Sequence, residues 1–461
     1  MEQLRDTPLL AAISHLDHCA VIGENRQWTW REVHTDSMTL ALRLEPRAAV
    51  FNLCNSRTGF LVAWLAALRR GCLQLLPPSG GLAELTALLQ STPDPVVVVD
   101  DPQALQPDWA RHARCLVHVP GATSRAATNG DLAWSARWDA PLVRLYTSGS
   151  TGTPEPQVKT LGHLAQGALV LARRLDTSIA GGRSALGRIV CSVPPQHMFG
   201  LETSVMLPLL IGVPVLDRRP LLPADIGAAL ESGSDAAAWV ATPLHLRAVA
   251  QAGQALPRCG AVIASTMPLA SDLAARVEAL SDAPVLEIYG STETGVVAMR
   301  RTAHDTRWRA VAEVRLQAAE DGTRVWGSHF PSPRTLPDRM EIRSDGDFVL
   351  LGRQGDLIKV GGRRASLAGL NLLLQGLPGL ADGVFYLPAT GAPTERLLLI
   401  YAGPELNRRV AQAWLRQHMD PAFLPRAFIR TEQLPRAGAG KLPRAALDRL
   451  YGDWLARKGA A

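Results

Sequence analysis

The strongest constraint in this sequence is a series of unbroken apolar runs of strand length, each stopped by a turn-forming residue. They are Pro95–Asp100 (PVVVVD), Cys115–Pro120, Arg188–Val193, Ala237–Thr242, Ala261–Ser265 and Pro284–Gly290. A strand with one face in water alternates apolar and polar residues, whereas a run without alternation has both faces covered. Between the runs lie Ala/Leu-rich stretches of helical length, Thr58–Arg70, Leu161–Leu175 and Leu269–Leu280. Alternating strands and helices predict an α/β fold of mostly parallel sheets with helices on their faces.

The texture changes after Glu320. The stretch DGTRVWGSHFPSPRTLPDRM, 321–340, is rich in Pro, Gly, Ser and charge and reads as loops and short strands, a small β subdomain. A turn at Ser344-Asp345-Gly346 leads into the strand DFVLLGR. From about Asp356 the chain is compact and mixed, with strands at LIKV, GVFYLP and RLLLIYA and a helix near Glu405–His418. A length of 461 residues allows two or three domains. We place a large N-terminal domain at 1–353 and a small α+β C-terminal domain at 354–461, with the boundary at Arg353–Asp356.

The formal charge of +6 gathers in no long Lys/Arg run. That argues against nucleic acid and for an anionic substrate or an acidic protein partner. The six cysteines are scattered with no CxxC pair, which suits free thiols in a reducing cytoplasm better than a disulfide framework or structural zinc. The first residues lack a basic region followed by an apolar one, so no signal peptide is expected. The longest apolar runs, Phe60–Leu68 and Val205–Leu216, are too short or too interrupted to span a bilayer.

Four segments carry candidate chemistry. In LYTSGSTGTPEPQVKT, 145–160, a strand runs into a loop that packs hydroxyls and glycines together at Thr147, Ser148, Gly149, Ser150, Thr151 and Gly152. Such a loop brings backbone N–H groups and hydroxyl donors close to phosphate oxygens, although alone it also suits a Ser/Gly linker. It lacks the GK[ST] ending of a Walker A loop and does not set a serine in a GxSxG elbow. In VLEIYGSTETG, 285–295, a strand delivers Tyr289, Gly290, Thr292 and Glu293 to the carboxyl end of a sheet, where open α/β folds bind ligands. A carboxylate there can hold Mg²⁺ against a triphosphate and a tyrosine can stack on a base. The third segment is DGDFVLLGRQGDLIKVGGRR, 345–364. The fourth, LPRAGAGKLPR, 434–444, sets Lys441 in a Gly/Ala-rich loop.

In this order and at these separations the four segments resemble the motifs of the adenylate-forming superfamily. It comprises acyl- and aryl-CoA synthetases, nonribosomal peptide synthetase adenylation domains and firefly luciferase. The elements WTWREV, 28–33, and FLVAWLAALRRGCLQLLPP, 60–78, are similar to its N-terminal region, so the resemblance spans nearly the whole chain. It implies ATP and Mg²⁺ as cofactors, with the Thr147–Gly152 loop on the β- and γ-phosphates. Tyr289 and Gly290 would lie beside the adenine, Thr292 on the α-phosphate and Glu293 on the metal. Asp338 and Arg353 would hold the ribose, and Lys441 would stabilise the displacement of pyrophosphate.

The resemblance also makes His197, in PPQHMFGLE, a gate between acyl pocket and thiol channel. It makes the C-terminal domain mobile, with a hinge at Gly355-Asp356 and the thiol channel at Gly361-Gly362. Departures stand beside these matches. The lysine usual after the proline of the phosphate loop is Glu155, and Lys159 is expected to replace it through a longer loop. The small pair usual in the adenine wall is Thr266-Met267, and the acidic tail of a late motif reads GRRASLAGLN, 362–371, expected at the surface.

The expected reaction joins a carboxylic acid to AMP and then passes the acyl group to a thiol, either CoA or an acidic holo-acyl-carrier protein. Pocket walls are expected from His197, Met198, Phe199, Gly200, Thr242, Ser265, Met267 and Ser291. The chain is compact and resembles small ligases of aryl-polyene pigment pathways, which favours a small aryl acid such as a hydroxybenzoate. A medium-chain or β-hydroxy fatty acid is the rival substrate. A non-catalytic adenylate-binding protein and a luciferase-like oxygenase are rivals of other classes.

Overall fold

The computed structural model describes residues 16–77, 82–121, 138–148, 154–233, 235–353, 357–360, 363–388, 396–436 and 442–459. The hairpin β1 (Cys19–Ile22) and β2 (Gln27–Thr29) leads into α1 (Trp30–Ala41), whose N-cap Thr29 forms a capping box with Glu32. Next come β3 (Ala49–Asn52), α2 (Arg57–Arg70), β4 (Leu73–Leu76), α3 (Leu82–Ser91), β5 (Pro95–Val99), β6 (Arg114–Val117), β7 (Pro141–Ser148) and β8 (Pro154–Thr160). They form a six-stranded sheet, β6-β5-β3-β4-β7-β8, parallel except for the last pair.

After α4 (Leu161–Ser178) the chain builds a second sheet. Its strands are β9 (Arg188–Cys191), β10 (Val215–Leu216), β11 (Ala237–Ala241), β12 (Cys259–Ala264), β13 (Val285–Ser291), β14 (Gly295–Arg301) and β15 (Arg309–Ala310). Helices α5 (Met198–Leu201) and α6 (Leu207–Ile211) follow β9. Then α7 (Pro223–Glu231) precedes β11, α8 (Pro243–Ala252) precedes β12 and α9 (Ser271–Ser281) precedes β13. The order is β15-β14-β13-β12-β11-β9-β10-β1-β2, antiparallel only toward its two edges.

The unbroken apolar runs are explained by which face each residue serves. Val96 and Val98 of β5 face the core shared by both sheets, while Val97 and Val99 face a separate core under α3. Likewise Ile189 and Cys191 join the shared core, and Val190 joins the one beneath α7, α8 and α9. Helix α2 lies in the shared core with every residue from Arg57 to Leu68 buried. Large apolar side chains buried this way contribute about 1.5–3 kcal/mol each.

Three short strands, β16 (Arg315–Ala319), β17 (Gly322–Trp326) and β18 (Arg334–Leu336), form the expected β subdomain beside the pair β19 (Asp338–Ile342) and β20 (Phe348–Arg353). The C-terminal part has β21 (Leu357–Val360), β22 (Arg363–Ser366), α10 (Leu367–Leu373), β23 (Asp382–Tyr386), β24 (Leu398–Ala402), α11 (Arg408–His418), β25 (Ala427–Thr431) and α12 (Arg444–Gly459). Its core clusters around Leu399 and Ile400 draw no buried residue from before Ile358. The fold is thus mixed α/β with a large N-terminal and a small C-terminal domain, as expected. All six cysteines are free, and no helix among the described residues is long and apolar enough to cross a membrane.

Within 145–160 the structure adds a strand that the sequence did not suggest: β8 pairs antiparallel with β7, Tyr146 opposite Pro156 and Ser148 opposite Pro154. Its two prolines hide it from a strand pattern, yet an edge strand tolerates them because one side of its backbone has no ladder to donate to.

Candidate active site

Strand β7 carries Thr147 and Ser148 at its carboxyl end, and β8 leaves the far side of the loop. Gly149, Ser150, Thr151 and Gly152 lie outside the described residues, as do Gly355, Asp356, Gly361, Gly362 and Lys441. The described residues of the phosphate-type segment are thus the paired ends of β7 and β8, Ser148 opposite Pro154.

The next segment is a hairpin tip. Ser291 pairs with Gly295, which leaves Thr292, Glu293 and Thr294 as the turn between β13 and β14. Thr294, fully buried, staples the turn: its hydroxyl accepts from the Ser291 N–H at 3.2 Å and donates to the Gly295 carbonyl at 3.0 Å. The turn stays half-buried at Thr292 and Glu293. Gly290 sits where the strand bulges, and a Cβ there would lie 2.1 Å from the Gly295 oxygen. Only glycine fits that approach.

Tyr289 rests on a built platform. Its ring packs against Trp308 at 5.5 Å and edge-on to Phe348 at 5.8 Å, and Trp308 stacks on Phe348. Arg300 covers Trp308 at 4.3 Å and pairs with the buried Glu287 at 2.7 Å. Phe348 begins β20, which ends at Arg353, and there the register sets Asp338 directly opposite Arg353. The two residues expected at one ribose are therefore cross-strand neighbours on one short ribbon.

The wall beside Tyr289 comes from the end of β12. Ser265 donates to the Ile288 carbonyl at 3.0 Å, which ties the wall to β13. Thr266 takes φ +85°, a region costly for a β-branched residue, so the substitution noted in the sequence holds strain of about 1–3 kcal/mol. Met267 faces the C-terminal domain, where Arg436 Nη1 lies 3.9 Å from its sulfur.

His197 caps the short helix α5, its Nδ1 accepting from the Phe199 N–H at 3.3 Å. Met198, Phe199 and Gly200 follow as buried residues of that helix. Thr242 caps α8 and forms a capping box with His245. Burial and the charge of Arg219 push the His245 imidazole down to about 4.

Lys159 is not where the sequence reading placed it. A paired strand rather than a longer loop separates it from Pro154, and Lys159 lies opposite Val143 inside the sheet edge. Its side chain is 1% exposed, and Nζ donates to the Glu293 backbone carbonyl at 2.5 Å. Burial lowers its pKa, against the attraction of Glu202 first and Glu293 second. Burial likewise raises that of Glu202, with Lys159 opposing. Sequence reasoning missed Trp308 and His329, which lie outside the motif segments, and it gave no role to Glu202 and Arg436, although these lie inside PPQHMFGLE and LPRAGAGKLPR.

These bonds bring the segments together: Lys159 joins the phosphate-type hairpin to the Glu293 turn, Trp308–Phe348 joins Tyr289 to the Asp338–Arg353 ribbon, and Arg436 joins the last segment to Met267. Among the described residues no group of three or more His, Cys, Asp or Glu forms a metal cage of its own. A single half-buried carboxylate is what Mg²⁺ takes when phosphate oxygens and water fill its other positions, so Glu293 fits an ion that arrives with ATP.

Comparison with known proteins gives the family and the fold. The family model described as AMP-binding enzyme matches residues 11–321. A 4-coumarate–CoA ligase of Rhodobacter capsulatus is 30% identical over 246 residues, 53% of this chain and 60% of that one. The chain thus aligns with less than two thirds of that relative's length. The structure of O-succinylbenzoate coenzyme A synthetase from Bacillus subtilis in complex with AMP superposes with a TM-score of 0.78 at 16% identity, covering 95% of this chain and 97% of that one. The same enzyme in complex with ATP and magnesium ion gives a TM-score of 0.77 at 18% identity, covering 96% and 98%.

Proposed function

The chain belongs to the AMP-binding enzyme family, and from that premise we propose that it is an AMP-forming acid–thiol ligase acting on a small aryl acid such as a hydroxybenzoate. The observation that carries the reading is the convergence of the phosphate-type hairpin, the Thr292–Glu293 turn, the Tyr289 platform and the Asp338–Arg353 ribbon. In this reading the Tyr289 platform takes the base, Asp338 and Arg353 take the ribose, and the hydroxyl-rich segment takes the phosphates. In the first step a carboxylate oxygen attacks the α-phosphorus of ATP and pyrophosphate leaves with the P–O bond electrons.

We assign Thr292 to the α-phosphate and Glu293 to Mg²⁺, which would offset phosphate charge. Lys441 is assigned to the developing charge of the in-line displacement. In the second step a thiol loses its proton, its sulfur attacks the acyl carbonyl, and AMP departs. His197, at the start of α5, stands at the proposed thiol entrance, with Gly361-Gly362 lining the channel after a swing about Gly355-Asp356. Phosphopantetheine of CoA or of an acidic carrier protein fits the basic chain.

Support for an aryl acid comes from relatives whose names specify aromatic acids, the 4-coumarate and O-succinylbenzoate enzymes. The test is pyrophosphate release across benzoates, cinnamates and fatty acids, with CoA and with a holo-carrier protein as acceptors. Release with an aryl acid and thioester formation with one acceptor is the expected result. Release only with fatty acids would overturn the substrate class, and no release with any acid would favour an adenylate-binding protein. Lys441→Ala should reduce acid-dependent ATP–pyrophosphate exchange by at least about a hundredfold; unchanged exchange would remove that residue from the chemistry.

A further inference from the structure

Three buried polar side chains from three separate elements meet beneath the turn that carries Thr292 and Glu293. Lys159 of β8 holds the Glu293 carbonyl. Glu202, 4% exposed and one turn beyond His197, accepts from the Val296 N–H. His329, 2% exposed, donates from Nε2 to the Val296 carbonyl at 2.7 Å.

Glycines make room for this group. A Cβ on Gly295 would lie 2.7 Å from Glu202 Oε1 and 3.4 Å from the His329 ring, and one on Gly167 of α4 would lie 3.0 Å from the same oxygen. The backbone on the carboxyl side of the turn is thus held at residue 293 and on both polar groups of residue 296. The holders come from the strand after the phosphate-type loop, from the helix region after His197 and from the β subdomain.

Such an arrangement is an expensive way to fill a core. Two opposite charges taken out of water recover their desolvation only in part, and apolar side chains of like volume often serve stability as well or better. Lys159 also takes the backbone oxygen of Glu293, which leaves the carboxylate of that residue for another partner.

We infer that Lys159, Glu202 and His329 form a positioning clamp that fixes the Thr292–Glu293 turn against the phosphate-type hairpin, so that both grip one triphosphate at a set spacing. Lys159 is then a positioning residue and touches no phosphate. The inference rests on the adenylation reading and deepens it. A turn free to shift by 1 Å would still accept AMP, whose single phosphate needs no second grip, but would hold the β- and γ-phosphates poorly.

The test uses the full chain and the variant Lys159→Met/Glu202→Gln, which removes both charges while Gln keeps an acceptor for the Val296 N–H. Single-charge variants would strand the partner charge, so the pair is changed together. Urea midpoints, calorimetric binding of MgATP and of AMP, and ATP–pyrophosphate exchange are measured on wild type and variant. We expect a midpoint at or above that of wild type, AMP affinity within about twofold, and losses of about tenfold or more in MgATP affinity and exchange. Retained MgATP affinity, or equal losses for AMP and MgATP alongside a fallen midpoint, would overturn the clamp and leave adenylation standing. If wild type binds neither nucleotide, the adenylation reading falls and the clamp falls with it.

Discussion

At Gly200 the helix that begins after His197 passes so close to the preceding loop that an added Cβ would lie 2.0 Å from the Pro194 oxygen. Both atoms belong to backbone, so neither can swing aside, and Gly200→Ala should cost about 2–3 kcal/mol of stability. It should also displace His197, so thioester formation should fall more than ATP–pyrophosphate exchange; equal effects on both would detach the helix from thiol entry. Histidine burial makes a second prediction. His34, His245 and His329 are pushed down to about 3, 4 and 4, each mainly by burial. Above the ordinary imidazole value near 6.5 they are neutral folded or unfolded and contribute nothing to pH dependence. Below it the unfolded chain takes up protons that the folded one refuses, so stability drops as pH falls, by up to about 4 kcal/mol per unit. Urea midpoints should be flat from pH 8 to 7 and decline from 6.5 to 5. A flat profile across the whole range would contradict this burial.

Among the elements, the β13–β14 hairpin shows how a turn of three residues is kept in one shape. The Thr294 hydroxyl is bonded within it both to the Ser291 N–H and hydroxyl and to the Gly295 carbonyl, and its side chain is fully buried. Thr294→Val keeps the volume and removes these bonds, so a loss of about 1–2 kcal/mol is expected in chemical denaturation, with a raised KM for ATP. A KM equal to wild type would mean that the staple does not govern the turn. The strands behind this hairpin were legible from sequence because both their faces are buried, as PVVVV shows in β5. The motif residues were legible because they cluster, Tyr289 to Glu293 on one strand end. Strand β8 was not legible, since its prolines suit only an edge that the sheet order defines. Nor were Glu202 and His329, single polar residues far apart in sequence, nor the bond of Lys159 to the Glu293 carbonyl, since the sequence pointed that residue to a phosphate. Their meaning depends on the approach of Gly295 and Val296, a property of packing and not of any local pattern.

For the whole molecule, the contacts between the two domains are both apolar and polar: Leu372 of α10 packs against the core beneath α7, α8 and α9, and polar side chains meet beside it. Arg436 pairs with Asp382 at 2.5 Å within the C-terminal domain, and Asp382 lies 4.0 Å from Arg247 across the boundary. Gln375 bonds the Pro268 carbonyl at 3.0 Å and accepts from the Ala270 N–H at 3.2 Å. Asp382→Ala should lower ATP–pyrophosphate exchange while thioester formation from supplied acyl-AMP stays within about twofold, since it loosens one docking of the domain and touches no proposed reacting group. A loss in both half-reactions would argue against such a docking.

The placement of β1 has a consequence of a different kind, in the order in which the protein is made. Val21 pairs in parallel with Val215, so this strand leaves the ribosome roughly 190 residues ahead of its partner, or about 10–40 s at ordinary rates of translation. Throughout that interval the β1–β2 hairpin has no further strand to join, and the nascent chain must keep its open edge from neighbouring polysomes. The six-stranded sheet contains neither strand, so it can assemble during the wait and give α1 a surface to rest on while the far edge of the second sheet is still being translated.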